Sequence, residues 1–196
     1  MSEEKNIEAI LKELSKQLDD KYTRSRTIMF IDITILELEP NDISEMAGLF
    51  MFREQNAFIF PIVHEYGGRF ERSLGYGHLV VFDKPEQAAQ AALKIIREKE
   101  LKSNKQVIVT LSIHHGDIIE ETNDILGSPV NIVVRMAEGT NESAILVSKE
   151  FADQIRHLKD IKITSYKKTK IKGMKDSVGL YKIITKRKTI TGENID

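Results

Sequence analysis

The chain has 196 residues, 41% hydrophobic and 30% charged, which suits one globular domain with short extensions and argues against wholesale disorder. Lys and Arg number 29 against 30 Asp and Glu, a net charge of −1, so no global basic field draws the protein to nucleic acid. Cys is absent, which excludes disulfide scaffolds, thiolate zinc sites and cysteine nucleophiles.

The start, Met1-Ser2-Glu3-Glu4-Lys5, lacks the basic-then-apolar layout of a signal peptide. The longest apolar run, Ala57 to Val63, is far short of the ~20 residues a membrane span needs. A reducing cytoplasm and no membrane association are therefore expected. Residues 3–20 read as a helix, because Ile7, Ile10, Leu11, Leu14 and Leu18 recur at three- and four-residue spacing. That stripe suits either packing on the chain's own domain or pairing with a second copy. Asp19 to Arg26 reads as a polar linker. Thr27 to Ile35 is rich in β-branched residues and predicts a buried strand holding a single acid, Asp32.

Pro40 to Ser44 carries helix-start chemistry, and a long apolar helix follows to about Tyr66, bent at Pro61. Gly67-Gly68 stops it. Arg69–Leu74 and His78–Asp83 read as strands joined by the Gly75-Tyr76-Gly77 turn. Pro85 opens a helix whose Ala88, Ala91, Ala92, Ile95 and Ile96 form a core stripe. Val107–His115 is another strand, followed by a polar hairpin region around Gly116-Asp117 and Thr122-Asn123-Asp124. Val130–Glu138 is a helix, Ala144–Val147 a short strand, and Ser148 the cap of a short helix. Strands at about Ile161–Tyr166 and Gly179–Ile184 close the chain, around a Lys-rich turn. The βαββαβ order describes an α+β, ferredoxin-like unit. The expected division is 1–25 for helix and linker, 26–185 for the domain and 186–196 for a polar tail. No internal repeat is present.

Four blocks of residues 26–185 carry a resemblance. They are Phe30-Ile31-Asp32-Ile33, Gly67-Gly68 through Gly75-Tyr76-Gly77 to Phe82, Gly127-Ser128-Pro129-Val130-Asn131 through Arg135-Met136, and Ile171-Lys172-Gly173. In that order they resemble the F-A-D-I, G-G-x-x-x-K-x-x-G-D, G-x-x-V-N-x-A-x-R-L and L-K-G blocks of the class III adenylyl and guanylyl cyclase catalytic domain. The resemblance implies that fold, with an N-terminal helix and an extra C-terminal hairpin, and a head-to-tail dimer sharing its sites. In the family a triphosphate's 3′-hydroxyl attacks its own α-phosphate, and two carboxylates hold two magnesium or manganese ions.

Carried over residue by residue, the resemblance implies that Asn131 and Arg135 are the catalytic pair, orienting the sugar and stabilising phosphate charge. Arg72, in place of the family's Lys, and Asp124 are the nucleotide-binding residues that read the purine edge, and Lys172 is a further phosphate contact. Asp32 and the Ile33 carbonyl are the remaining metal ligands. Tyr76 stands where the second metal acid belongs, and a neutral phenol is a poor magnesium ligand. Ile35-Leu36-Glu37 replaces the family's Gly-Phe-Thr phosphate loop. The expectation is a silent domain that dimerises and binds ATP or GTP in cyclic-nucleotide signalling, with magnesium or manganese if any metal binds, and no metal as the alternative. The rival is an enzyme: an active or partner-complemented adenylate cyclase that supplies the purine-reading and transition-state half of the site. His114-His115 is expected to be strand packing, since adjacent strand residues face opposite ways. Phe50, Phe52, Phe58 and Phe60 are read as core and interface filling.

Overall fold

A computed structural model describes residues 7, 10, 11, 13, 14, 21–36, 45–102, 105–121, 124–170 and 177–184. Its elements run β1 (Thr23–Ile35), α1 (Glu45–Glu65), β2 (Arg69–Leu74), β3 (Gly77–Phe82), α2 (Pro85–Lys102), β4 (Val107–Glu121), β5 (Asp124–Leu126), α3 (Ser128–Ala137), β6 (Ala144–Ser148), α4 (Lys149–Ile155), β7 (Lys162–Lys170) and β8 (Ser177–Ile184). One sheet has the order β2-β3-β1-β4-β6-β8-β7, with β5 paired to β4. The first four strands keep the ferredoxin-like arrangement that the βαββαβ order predicts.

Alternation along the strands divides the core between the two faces of the sheet. Met29, Ile31 and Ile33 pack with Val80, Phe82, Leu111 and Ile113 against α1, α2 and α4. Ile28 and Phe30 point the other way, with Leu79, Val81 and Ile118, and α3 covers them through Val130, Val133 and Ala137. A smaller cluster joins Ile132 and Met136 of α3 to Ala144, Leu146 and Leu180. Burial of two apolar faces at once explains why β3 reads as a near-continuous apolar run.

Local chemistry sets the element ends. Gly67 takes φ 74°, where a side chain would be strained, and the Gly68 N–H reaches back to the Val63 carbonyl at 2.8 Å, closing α1. Gly75 takes φ 61° in the two-residue turn Gly75-Tyr76 between β2 and β3. Ser148 caps α4 by accepting from the Phe151 N–H. Pro61 lies inside α1, which continues past it to Glu65.

Two segments differ from the sequence expectation. β1 begins at Thr23, inside the expected linker, and β4 runs on to Glu121, through the expected hairpin region around Gly116-Asp117. These polar stretches pair with each other, Thr23 with Ile119 and Arg26 with Gly116. Backbone pairing satisfies the strand there without an apolar pattern to reveal it. Ile7, Ile10, Leu11 and Leu14 are helical and exposed, so among the described residues the stripe is not buried on the domain.

Gly77 is buried where β3 crosses β1, and a Cβ there would sit 2.3 Å from the Phe30 ring. Gly77→Ala should cost about 1–3 kcal/mol through overpacking. A urea titration should show a lowered midpoint, and an unchanged midpoint would contradict this packing.

Candidate functional site

The α3-covered face of the sheet gathers most of the residues that the sequence singles out. Asp32 follows Ile28 and Phe30 at two-residue spacing, so it lies on that face at the end of β1. α3 is seated over it by apolar contacts and by the Ser112 hydroxyl, which donates to the Val133 carbonyl at 2.6 Å. Pro129 pre-sets the first turn of α3. With Val130, Val133 and Ala137 turned to the sheet, Asn131 and Arg135 are left exposed, one turn apart on the outer side. Arg135 Nη1 meets Glu138 Oε1 at 2.5 Å, an exposed pair on the same helix end.

Arg72 and Asp124 are brought together from different elements. A bulge between Phe70 and Arg72 shifts β2 so that Arg72 stands opposite Leu79, whose side chain belongs to the α3 face. Bulges re-aim side chains in this way. Arg72 there forms an ion pair with Asp124, whose Oδ1 also accepts from the Ile125 N–H at 2.8 Å. A second set of charges lies beside the pair. Glu120 of β4 receives both Arg69 and Arg26, Arg69 also binds Glu71, and Arg26 approaches Asp83 at 3.3 Å. Glu71 and Glu120 hold the Arg69 guanidinium above its ordinary value against the opposing effect of burial. Sequence reasoning did not single out this network or the Arg135–Glu138 pair. The second is readable from i,i+3 spacing, whereas the first needs the sheet register.

Asp32 and the hairpin tip at Tyr76 are neighbours along the backbone, although the Tyr76 ring turns to the α1 side of the sheet. Asp32 pairs with Gly77 across β1 and β3, so Tyr76 stands one residue from that pair, at the hairpin tip. The Asp32 carboxyl is half-buried, and burial raises it above its ordinary value, partly offset by the Thr34 hydroxyl at 3.4 Å. The Tyr76 ring leans on Phe52 of α1, edge to face at 5.2 Å between centroids. Among the described residues no three His, Asp or Glu side chains converge. A pair of divalent cations needs several hard oxygen donors. One carboxylate, the Ile33 carbonyl and a phenol packed on a ring do not fit that demand.

The remaining candidates separate. Lys172 and Glu37 lie outside the described residues. His114 Nδ1 contacts the Ser148 hydroxyl at 2.8 Å, whereas His115 Nδ1 contacts the Thr27 hydroxyl at 2.9 Å. The two rings bond to opposite sides and share no ligand position. Phe52 and Phe58 pack on the core, while Phe50 and Phe60 are exposed on α1.

Comparison with known proteins identifies the fold. The adenylate/guanylate cyclase/hydrolase from Silicibacter pomeroyi matches at TM-score 0.69 and 23% identity, over 83% of this chain and 97% of that one. The adenylyl cyclase CyaB from P. aeruginosa matches at TM-score 0.66 and 17% identity, over 85% and 97%. The guanylate cyclase domain of RhGC from Catenaria anguillulae, solved in complex with GTP, matches at TM-score 0.66 and 19% identity, over 83% and 97%. No family model matches the chain. An uncharacterised protein of Mycobacterium tuberculosis is 23% identical over 105 residues, which is 54% of this chain and 28% of that relative. The match thus covers less than a third of that relative's length. The protein has the fold of class III adenylyl and guanylyl cyclase catalytic domains, as the sequence blocks imply.

The raised Asp32 carboxyl sets the sign of a pH effect. The folded state holds its proton more tightly than the unfolded chain, so ionisation opposes folding increasingly as pH rises from about 4 through the raised native value. Asp32→Asn should therefore raise the urea midpoint at neutral pH and lose that advantage below about pH 4. A lowered midpoint at neutral pH would contradict the assignment.

Proposed function

We propose that this chain is a degenerate class III cyclase homology domain: a dimerising, nucleotide-binding module that does not close the cyclic phosphodiester. The observation that carries this reading is Tyr76, beside the Asp32–Gly77 pair with its ring against Phe52, at the position of the family's second metal acid. In the family the metal ions activate the 3′-hydroxyl and neutralise the phosphates. Forfeiting ~4 kcal/mol of such stabilisation slows a reaction roughly a thousandfold.

The nucleotide side of the site is richer. Arg72 offers donors and Asp124 an acceptor, already paired, which suits the ring nitrogen and exocyclic amine of adenine. Asn131 orients the ribose, and Arg135 leaves Glu138 to bind phosphate. Because the α3 groups face outward, a second copy of the chain completes each site, and the working form is a homodimer in the cytoplasm. The solved cyclase domains with which it shares its fold include one described as dimeric.

Calorimetry with ATP and GTP analogues tests the reading. Binding is expected, weakened about tenfold (about 1.4 kcal/mol) by Arg72→Ala or Arg135→Ala, with no cyclic product in magnesium or manganese. Absence of heat at millimolar nucleotide would reduce the role to a structural one. Metal-dependent cyclic nucleotide formation by the wild type, lost in Arg135→Ala, would overturn it. Tyr76→Asp alone should not restore cyclisation, because Ile35, Leu36 and Glu37 still replace the phosphate loop; full activity from that change would contradict the weight given to the loop.

A second reading follows from where the losses fall. Arg72, Asp124, Asn131 and Arg135 are all present, and the deficit is confined to the metal half. The chain would then be the recognition subunit of a heterodimeric cyclase. Co-expression with a metal-bearing cyclase domain should yield a co-purifying, active pair; neither co-purification nor activity would remove this reading.

A further inference from the structure

Asn56 of α1, Ser73 of β2 and His78 of β3 form a hydrogen-bonded chain on the face of the sheet opposite α3. Ser73 stands directly across the hairpin from His78. Its hydroxyl lies 3.1 Å from His78 Nδ1, and His78 Nε2 lies 2.9 Å from Asn56 Oδ1. An amide oxygen only accepts, so Nε2 carries the proton. The neutral ring then leaves its Nδ1 lone pair for the Ser73 O–H. Phe52 stacks on the imidazole at 5.4 Å, and Phe60 and Phe70 meet it edge-on at 5.0 and 5.9 Å. The ring, 4% exposed, is thus fixed in plane and position.

Ser73 itself is exposed, on the edge strand of the sheet. An approaching electrophile therefore meets the hydroxyl from solvent while the imidazole lies behind it. The outer side of β2 has no neighbouring strand among the described residues, which leaves backbone N–H groups available to a developing oxyanion. Leu74, Tyr76 and Phe60 present exposed apolar surface on the same hairpin and on α1. The order is that of a nucleophile, a base and a group that orients the base.

We propose that Ser73, His78 and Asn56 form a second chemical site, in which Ser73 is a base-activated nucleophile toward activated esters of small apolar acids. In the step, Ser73 Oγ forms a bond to the ester carbonyl carbon as its proton passes to His78 Nδ1. The carbonyl–oxygen bond to the leaving group then breaks, and a phenolate departs with the electron pair. The imidazolium releases its Nδ1 proton to bulk water. Nδ1 then takes a proton from a water molecule as that water's oxygen bonds to the acyl carbon, and returns it to Ser73 Oγ as the acyl–serine bond breaks, freeing the acid and the hydroxyl. None of this depends on the nucleotide reading.

The test uses the folded chain with p-nitrophenyl acetate, following p-nitrophenolate release and locating acetyl groups by peptide mass spectrometry. Acetylation at Ser73 should exceed that at every other serine and threonine at least tenfold, since a positioned general base contributes about a hundredfold or more. Ser73→Ala should remove the label while leaving the thermal midpoint near the wild-type value. Asn56→Ala should slow labelling about tenfold, and His78→Gln should reduce it to background.

Should His78→Gln fail to fold, the wild-type pH profile decides. Burial alone lowers His78, and the groups facing it are Phe52, Asn56 and Phe60 from α1, Phe70 and Ser73 from β2 and Ile31 from β1, none of them charged. Labelling should then persist below the ordinary histidine value of about 6.5 and fall only in more acid solution. Ser73 labelled no faster than other hydroxyls, or a rate that is still climbing in proportion to hydroxide above pH 7, would overturn the proposal.

Discussion

The antiparallel register of β1 against β3 is the constraint on which the rest of the site depends. It places Asp32 opposite Gly77 and so brings the hairpin tip to the acid. Gly77 permits this crossing because a Cβ there would run into the Phe30 ring. A one-residue slip would turn Asp32 into the α1 and α2 core and swap the side chains that α3 covers. The burial of Met29, Ile31 and Ile33 on one face and of Ile28 and Phe30 on the other locks the register from both sides. What stands at the tip is then decided by a single residue, and here it is Tyr76.

Charge is handled differently at the two ends of the α3 face. Around Arg72 charges are paired, through the Arg72–Asp124 pair and the Arg26, Arg69, Glu71 and Glu120 set. Arginine's planar fork suits such shared carboxylates better than lysine would. Asp32, by contrast, is half-buried with a hydroxyl for its hydrogen-bond partner, and its carboxyl is raised. Tyr76 adds apolar contact with Phe52 where a second carboxylate would have added repulsion.

Much of this was legible in the residues, and the gaps have physical causes. The apolar alternation of Thr27–Ile35 and the alanine stripe of α2 announced their elements, because their side chains bury. Thr23–Arg26 and Gly116-Asp117 did not, because a ladder of backbone bonds holds polar strand segments that no pattern marks. The family resemblance named Arg72 and Asp124, but the bulge that turns Arg72 toward Asp124 leaves no trace in composition. Ser73 and His78 were within reach, since a two-residue turn sets them opposite each other. Asn56 was not, because its place depends on how α1 settles on the hairpin.

The central claim is that Tyr76 has taken the position of a metal-binding acid, leaving a nucleotide site without its pair of ions. Electron paramagnetic resonance of manganese titrated into the wild-type chain with an unreactive ATP analogue tests it most directly. The account predicts no spin-coupled manganese pair, and a spectrum that is the same in the wild type and in Asp32→Asn. A coupled pair of ions in the wild type that disappears in Asp32→Asn would contradict it.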